Sequence, residues 1–282
     1  ILMSLDYDMH NLEFEKAIKL VASTNSNLFL TGEAGTGKTH FLKVASESVK
    51  KTYVVLAPTG VAAQYAGGVT IHSFFLLPIM SYLGQFDVPN YSDEKLEILK
   101  SIELIIIDEV SMVRADMLDW INTILQSVHK NQLPFGGVQM ILIGDPFQLS
   151  PIVSREEYQL IYSDYQSPYF FSSNVFEQAM FSHIELKKAY RQSDDHFLEI
   201  LNRIRNNKAG KVDLMKLNER VLKKGSAIDL NQSIFLTTHI ASALSTNSIM
   251  LKKLESPIHI YHWIQRGQPL KLSTALQKLE IA

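Results

Sequence analysis

Residues 32–39 read GEAGTGKT, and the residues on either side decide what this octapeptide is. Before it, Asn27, Leu28, Phe29, Leu30 and Thr31 form a short, mostly apolar run that suits a buried strand; after it, residues 39–50 can continue as a helix. A glycine-rich turn between a strand and a helix is the setting of a phosphate-binding loop. Glycines let the backbone curl until its N–H groups point at phosphate oxygens, and the helix N-terminus adds partial positive charge. In such a loop Lys38 reaches the β and γ phosphates and the Thr39 hydroxyl holds Mg²⁺. Gly32, Glu33, Ala34, Gly35, Thr36, Gly37, Lys38, Thr39 and His40 are therefore the candidate nucleotide-binding run.

Working outward, three further short apolar runs match buried parallel strands: Tyr53–Ala57, Leu104–Ile107 and Gln139–Ile143. Helical patterns alternate with them, such as Phe14, Ala17, Ile18 and Val21 on one face near the N-terminus and Leu118, Ile121 and Leu125 after the third strand. Strand and helix in alternation predict an α/β domain, a doubly wound parallel sheet with helices on both faces. Ligands of such sheets bind beyond the carboxyl ends of the strands, so the motifs that follow the strands are expected to converge on one crevice. The stretch 76–93, with Pro78, Gly84, Pro89 and Asn90, reads as an excursion from the sheet.

Two of the strand-end motifs carry chemistry. Asp108 and Glu109 follow Leu104, Ile105, Ile106 and Ile107 directly, and a pair of carboxylates at a buried strand end is costly unless it holds a cation or a water. Asp108 is the candidate magnesium ligand; Glu109 is the candidate base that orients and deprotonates the water attacking the γ phosphate. The next strand ends in GDPFQLSP, residues 144–151, where the Gln148 amide can bond the γ phosphate or the attacking water.

Composition sets the outer bounds. The 282 residues are 46% hydrophobic and 20% charged, enough for one large domain or two smaller ones. The absence of cysteine excludes a disulfide framework and a thiolate zinc site. No apolar run approaches the roughly 18 residues of a membrane span, and an N-terminus with Asp6, Asp8, Glu13 and Glu15 lacks the character of a secretory signal. A cytoplasmic or otherwise internal location is the expectation, with no membrane partner. The net charge of −2 gives no global nucleic-acid footprint, but between Lys187 and Lys224 eleven Lys and Arg face five Asp and Glu. Such a run is equally the solvated face of ordinary helices.

The motifs in order resemble those of the Pif-one and RecD-like DNA helicases, superfamily-one motors of the B type. They are GEAGTGKT, APTGVAA at 57–63, TIHSFF at 70–75, DEVSMV at 108–113, PFGGVQ at 134–139, GDPFQLSP at 144–151 and AYRQ at 189–192. The resemblance runs from about Leu12 to Lys208, and LTTHIASALSTN at 236–247 extends it toward a second motor lobe. It implies a RecA-like P-loop NTPase lobe over 1–188, a partial second RecA-like lobe over 189–282, ATP with Mg²⁺ as cofactors, and 5′-to-3′ movement on single-stranded DNA. It implies that Arg191 is an arginine finger contributed by the second lobe. By the same resemblance Pro58, Thr59, Gly60, Thr70, His72 and Phe74 touch single-stranded DNA. Hydroxyls and backbone N–H groups bond phosphates, and aromatic faces stack on bases. For His72 and Phe74 the segment TIHSFF also fits a helix start with core aromatics. DNA junctions join single strands as expected partners, and a monomeric motor is the expected form.

Departures from the family pattern matter equally. Residues 11–16, NLEFEK, contain no glutamine to read adenine. The chain reaches Ala282 without the later second-lobe motifs, and residues 255–282 do not resemble what the family carries there, so an incomplete second lobe is expected. A nucleotide-responsive DNA-binding module without productive unwinding is the alternative to a motor. A GTPase is disfavoured because Asn207-Lys208-Ala209-Gly210 lacks the guanine-reading aspartate. A transporter-type ATPase is disfavoured because Gly136-Gly137-Val138-Gln139 follows the Asp-Glu strand instead of preceding it.

Overall fold

The computed structural model describes residues 11–78, 87–188, 190, 195–221, 233–254, 259–261 and 279–281. The chain divides into two compact units, Ile1–Leu214 and Met215–Ala282. Among the described residues no helix is long and apolar enough to cross a membrane.

The first unit is built on six parallel strands, β1 (Leu28–Gly32), β2 (Tyr53–Ala57), β3 (Val69–Thr70), β4 (Leu104–Ile107), β5 (Gln139–Ile143) and β6 (Ser182–Leu186). They lie side by side in the order β3-β2-β4-β5-β1-β6. The register pairs Leu28 with Ile141 and with Ser182 on either side of β1, and Leu104 with Tyr53 and with Gln139 on either side of β4. Every residue of β1, β4 and β5 is buried, which is why each reads as an unbroken apolar run: a parallel strand covered on both faces has no solvent side to mark.

Alternation along the strands splits the core in two. Phe29, Ile105, Ile107, Met140 and Leu142 face one side, where they pack with the residues of α4 (Ile71–Phe75), α5 (Asp93–Ser101) and α6 (Ala115–His129). Leu28, Leu30, Leu104, Ile106, Ile141 and Ile143 face the other, against α1 (Leu12–Ser23) and α2 (Lys38–Ser48). In α6 the buried Leu118, Ile121, Ile124, Leu125 and Val128 recur at helical spacing, the stripe that a helix lying on a sheet requires. In α1 the buried residues are Phe14, Ala17 and Val21, with Ile18 partly buried beside them; Asn11 caps its start by accepting from the Phe14 N–H at 3.1 Å. Burying one Leu or Ile side chain contributes roughly 1.5–3 kcal/mol. The four of β4 alone therefore outweigh the modest strain that the chain accepts immediately after them.

α3 (Gly60–Ala66) follows β2, and α7 (Arg155–Asp164) follows the GDPFQLSP turn. A capping box of Ser154 and Glu157 starts α7. α8 (Asn174–Gln178) precedes β6, and α9 (Asp195–Arg205) follows it. The second unit, beyond part of α10 (Lys211–Asn218), contributes α11 (Ile240–Leu251) and an antiparallel pair, β7 (His259–Tyr261) and β8 (Leu279–Ile281), in which His259 faces Ile281.

Candidate functional site

The carboxyl ends of β1, β4 and β5 are neighbours in the sheet, and each carries one of the sequence-predicted motifs. At the end of β1, Gly32 is irreplaceable on space: an added Cβ would stand 2.6 Å from the Leu186 carbonyl oxygen of β6. Gly37 is required on conformation, capping α2 from the left-handed region with φ 94°. The Lys38 ammonium curls back into the loop and donates to the carbonyls of Gly32 (2.7 Å) and Glu33 (3.0 Å). Thr36 is buried and closes the turn by donating its hydroxyl to the Glu33 carbonyl at 2.9 Å. Ala34, Thr39 and His40 are exposed and Gly35 is half-buried; the His40 ring stacks on Phe14 of α1 at 5.6 Å.

At the end of β4, both Asp108 and Glu109 are half-buried. Glu109 adopts a left-handed backbone (φ 52°, ψ 42°) at the start of a short 3-10 turn, Val110–Met112. For a non-glycine residue this costs about 1–2 kcal/mol, and residues held this way cluster at functional sites. The Asp108 backbone N–H donates to the Leu56 carbonyl of β2 at 2.9 Å. At the end of β5 the Asp145 carboxylate, 2% exposed, accepts from the Phe147 N–H at 3.1 Å, and its backbone carbonyl accepts from the Gln148 N–H at 2.9 Å. The turn thereby holds Gln148 on the exposed side of the loop.

These groups sense one another electrostatically. Burial pushes the Lys38 ammonium below its ordinary pKa, opposed by the carboxylates of Asp145, Glu109 and Asp108. Burial raises Asp108, against the Glu109 N–H that donates to its carboxylate and the charge of Lys38. Burial also raises Glu109, and the negative charges of Asp108 and Asp145 push it further in the same direction. A strand-end cluster with one lysine among three carboxylates suits a triphosphate with a divalent cation. Lysine and loop N–H groups are of the kind that meets such an anion, and a hydroxyl and a carboxylate, as at Thr39 and Asp108, are of the oxygen type that magnesium takes beside phosphates and water. A concavity of about 900 Å³ lined by Phe171, Asn174, Phe176 and Phe181 contains none of these motif residues; chemistry, not volume, marks the site.

Three residues outside the expected set join it. Tyr190, within AYRQ, donates its backbone N–H to the Gly35 carbonyl at 2.9 Å. Its hydroxyl accepts from the Asn11 amide at 3.1 Å, and a side chain at Gly37 would meet its ring at 3.8 Å. Arg205, at the end of α9, makes a two-pronged contact with Asp145 (3.0 and 2.9 Å). Asn11 stands in the stretch that lacks glutamine, and Arg205 stands in the basic run, but neither forms a periodic or spaced pattern that singles it out. Within that run Arg203 is likewise occupied, by Asp213 at 2.7 Å and Glu199 at 3.4 Å. Arg191 lies outside the described residues.

The β2–β3 half of the same edge holds the residues expected to meet DNA. Pro58 and Thr59 are half-buried and Gly60 is exposed. Thr59 caps α3 by accepting from the Ala62 N–H at 3.2 Å, and Thr70 caps α4 by accepting from the Ser73 N–H at 3.2 Å. Among the described residues, and apart from its own helix and chain neighbours, nothing lies within 4 Å of where a Gly60 Cβ would be, which leaves room at the helix start. His72 is half-buried, and burial together with the Arg114 charge lowers its pKa, favouring the neutral ring. Phe74 packs as the helix-start, core-aromatic reading of TIHSFF has it. Its ring is 9% exposed, packs edge-on against Phe75 at 5.0 Å, and is covered by the Lys95 ammonium 3.8 Å from its centroid.

A phosphate loop after the first of these strands, an acidic pair after a neighbouring one and a glutamine-bearing turn after another define the nucleotide-binding lobe of a P-loop NTPase with a RecA-like sheet. Comparison with known proteins narrows the class. The family description "PIF1-like helicase" matches residues 10–214, and the chain belongs to that family. It is 31% identical over 252 residues to the ATP-dependent DNA helicase RRM3 of Saccharomyces cerevisiae, covering 87% of this chain and 34% of that protein. Among solved structures it is similar to a Pif1 helicase from Bacteroides in complex with ADP-AlF3 and single-stranded DNA. The TM-score is 0.83 at 37% identity, over 98% of this chain and 64% of the other. A structure of two coordinating Pif1 helicases at forked double-stranded DNA gives a TM-score of 0.86 at 36% identity, over 98% of this chain and 65% of the other. The chain thus spans about a third of the length of the yeast relative and just under two thirds of the solved chains.

Proposed function

We propose that this chain carries the ATP-hydrolysing lobe, and part of the second lobe, of an ATP-dependent DNA helicase that moves 5′ to 3′ along single-stranded DNA. The observation that supports this most directly is the convergence of Lys38, Asp108, Glu109 and Asp145 at adjoining strand ends, with the half-buried Lys38 ammonium within electrostatic reach of all three carboxylates. Lys38 and the loop N–H groups bind the β and γ phosphates. Thr39 and Asp108 hold the magnesium ion, which when bound supplies positive charge against the phosphates. Glu109, its carboxyl raised above the ordinary range, orients a water and accepts its proton. Gln148 bonds the γ phosphate or that water, and Arg191 adds positive charge there as the finger.

On the DNA side, Pro58, Thr59 and Gly60 at the start of α3, with Thr70 and His72 at the start of α4, present hydroxyls, a ring nitrogen and open backbone to the phosphates of a single strand. Asp108 is bonded through its backbone to Leu56, two residues before Pro58, so displacement at the nucleotide end has a short covalent and hydrogen-bonded path to the DNA end. The proposed lobe boundary lies between residues 188 and 189, so that Arg191 belongs to the second lobe and reaches the phosphate when the cleft closes. DNA junctions are substrates of the motor, which works as a monomer; sedimentation with forked DNA tests that form. Steady-state ATP hydrolysis with and without oligo-dT tests the function. Stimulation by the oligonucleotide is expected, whereas nucleotide binding without turnover would favour a nucleotide-responsive DNA-binding module.

A further inference from the structure

Asp145 poses an electrostatic problem at the heart of the site. Its carboxylate is 2% exposed, and it is the carboxylate felt most strongly by the Lys38 ammonium. A buried, uncompensated carboxylate beside the phosphate-binding lysine would do two kinds of harm: it would pair with Lys38, and it would repel the terminal phosphate. The chain answers with Arg205, 60 residues further on. Its Nε and one Nη donate to the two Asp145 oxygens at 3.0 and 2.9 Å, the paired geometry that a guanidinium makes and an ammonium cannot. The guanidinium carbon sits 4.4 Å from the centroid of Phe147, in the same turn. Its remaining nitrogen reaches the Glu33 carboxylate of the phosphate loop at 3.9 Å. Arg205 is itself 15% exposed, so this is a built, mostly buried clamp spanning the β5 turn and the loop after β1.

We infer that Arg205 is a positioning residue of the nucleotide site: by neutralising Asp145 it leaves Lys38 free for the γ phosphate and fixes the turn that carries Gln148. The inference rests on the nucleotide-site reading above. It gives α9 a part in recognising the third phosphate, exerted through Asp145 and Lys38. Because the clamp acts on groups facing the β and γ phosphates, its removal discriminates between a triphosphate and a diphosphate. Loss of a purely structural contact would not.

The test is a titration of the 282-residue chain with fluorescent AMP-PNP and ADP in the presence of Mg²⁺, for wild type, Arg205→Met, Arg205→Lys and the double variant Asp145→Asn/Arg205→Met. Arg205→Met is expected to weaken AMP-PNP by about tenfold or more while changing ADP by less than about threefold. Arg205→Lys, which keeps the charge but not the two-pronged contact, should fall between. The double variant, with the Asp145 carboxylate no longer competing for Lys38, should recover most of the AMP-PNP affinity lost in Arg205→Met. The inference is overturned if Arg205→Met binds both nucleotides as wild type does. It is equally overturned if both weaken in parallel with no recovery in the double variant. A wild-type chain that binds neither nucleotide would instead overturn the nucleotide-site reading, and this inference with it.

Discussion

The β1, β4 and β5 ends of the sheet and the β2 and β3 ends share one edge but are held together by different forces. At the first, charged groups crowd together: half-buried Lys38, Asp108 and Glu109 beside the buried Asp145, which is paired with Arg205. At the second, half-buried but neutral hydroxyls of Thr59 and Thr70 cap helices. A buried charge is costly to strand, so each member of the first group is expected to carry a large effect. A capping hydroxyl is replaceable by water, so each member of the second carries a small one. Chemistry that must discriminate one phosphate is concentrated; contact with a repetitive polymer is spread thin.

The largest expected effect, and the most direct way to break that contrast, is at Glu109. Glu109→Gln keeps the shape and removes the proton acceptor, so turnover should fall by about 10²–10⁴ with ATP binding retained; near-normal hydrolysis would take Glu109 out of the mechanism. The wild-type rate should also show an acid limb displaced upward. Burial and two neighbouring carboxylates raise the pKa of Glu109, so the ionised base is lost as pH falls through a value above the ordinary carboxylate range. A limb at or below that range in a pH–rate profile would contradict the assignment. Lys38→Ala comes next, with ATP hydrolysis reduced by roughly 10²–10³ through loss of charge at the phosphates.

Charge burial can be sharpened away from the nucleotide as well. Arg114, just after DEVSMV, pairs with Asp116 at 2.6 Å and also with Glu157 of α7, and all three side chains are mostly buried. Arg114→Met leaves two mostly buried carboxylates without their counter-charge and is expected to cost about 3 kcal/mol in urea denaturation; a change under about 0.5 kcal/mol would place the trio with ordinary surface pairs. The pair predicts a sign in acid too. Against burial, Arg114 and the hydrogen bonds from Ser154 together hold the Glu157 carboxyl down to about 2, so its contribution is complete above the usual carboxylate pKa and is lost as pH falls from there toward 2. Glu157→Gln should flatten that part of the stability profile.

The smallest effects belong to the DNA half. Thr59→Ala and Thr70→Ala should each cost roughly 1 kcal/mol of stability as lost caps and weaken single-stranded DNA binding only a few-fold, read by fluorescence anisotropy. A loss of affinity there as large as the catalytic loss at Glu109 would erase the distinction between the two halves.

Legibility in the sequence follows the same divide. The cores of β1, β2, β4 and β5 are visible as apolar runs because they are interior strands, and three of the four runs coincide with the strands residue for residue. β3 and β6 are not visible. β3 is only Val69 and Thr70, and β6, SHIEL, is an edge strand whose residues alternate between half-buried and exposed before Leu186. The loop, the acidic pair and the Gln148 turn are legible because each is local in sequence. The partners that tune them are not: Arg205 reaches Asp145 across 60 residues and Tyr190 reaches Asn11 across 179, and no periodicity records a contact made by tertiary folding. Phe74 shows a local signal that reads two ways: the motif offers it to DNA, and the same segment suits a helix start with core aromatics, where its ring is packed in the structure.

The central claim is that the charged strand-end cluster hydrolyses ATP in response to DNA bound at the neighbouring half of the same edge. The most direct measurement is ATP hydrolysis by the 282-residue chain with and without oligo-dT, wild type beside Lys38→Ala. A wild-type rate that rises on adding oligo-dT, with Lys38→Ala flat and near background, is the expected result. An oligo-dT-stimulated rate that survives in Lys38→Ala would contradict the account.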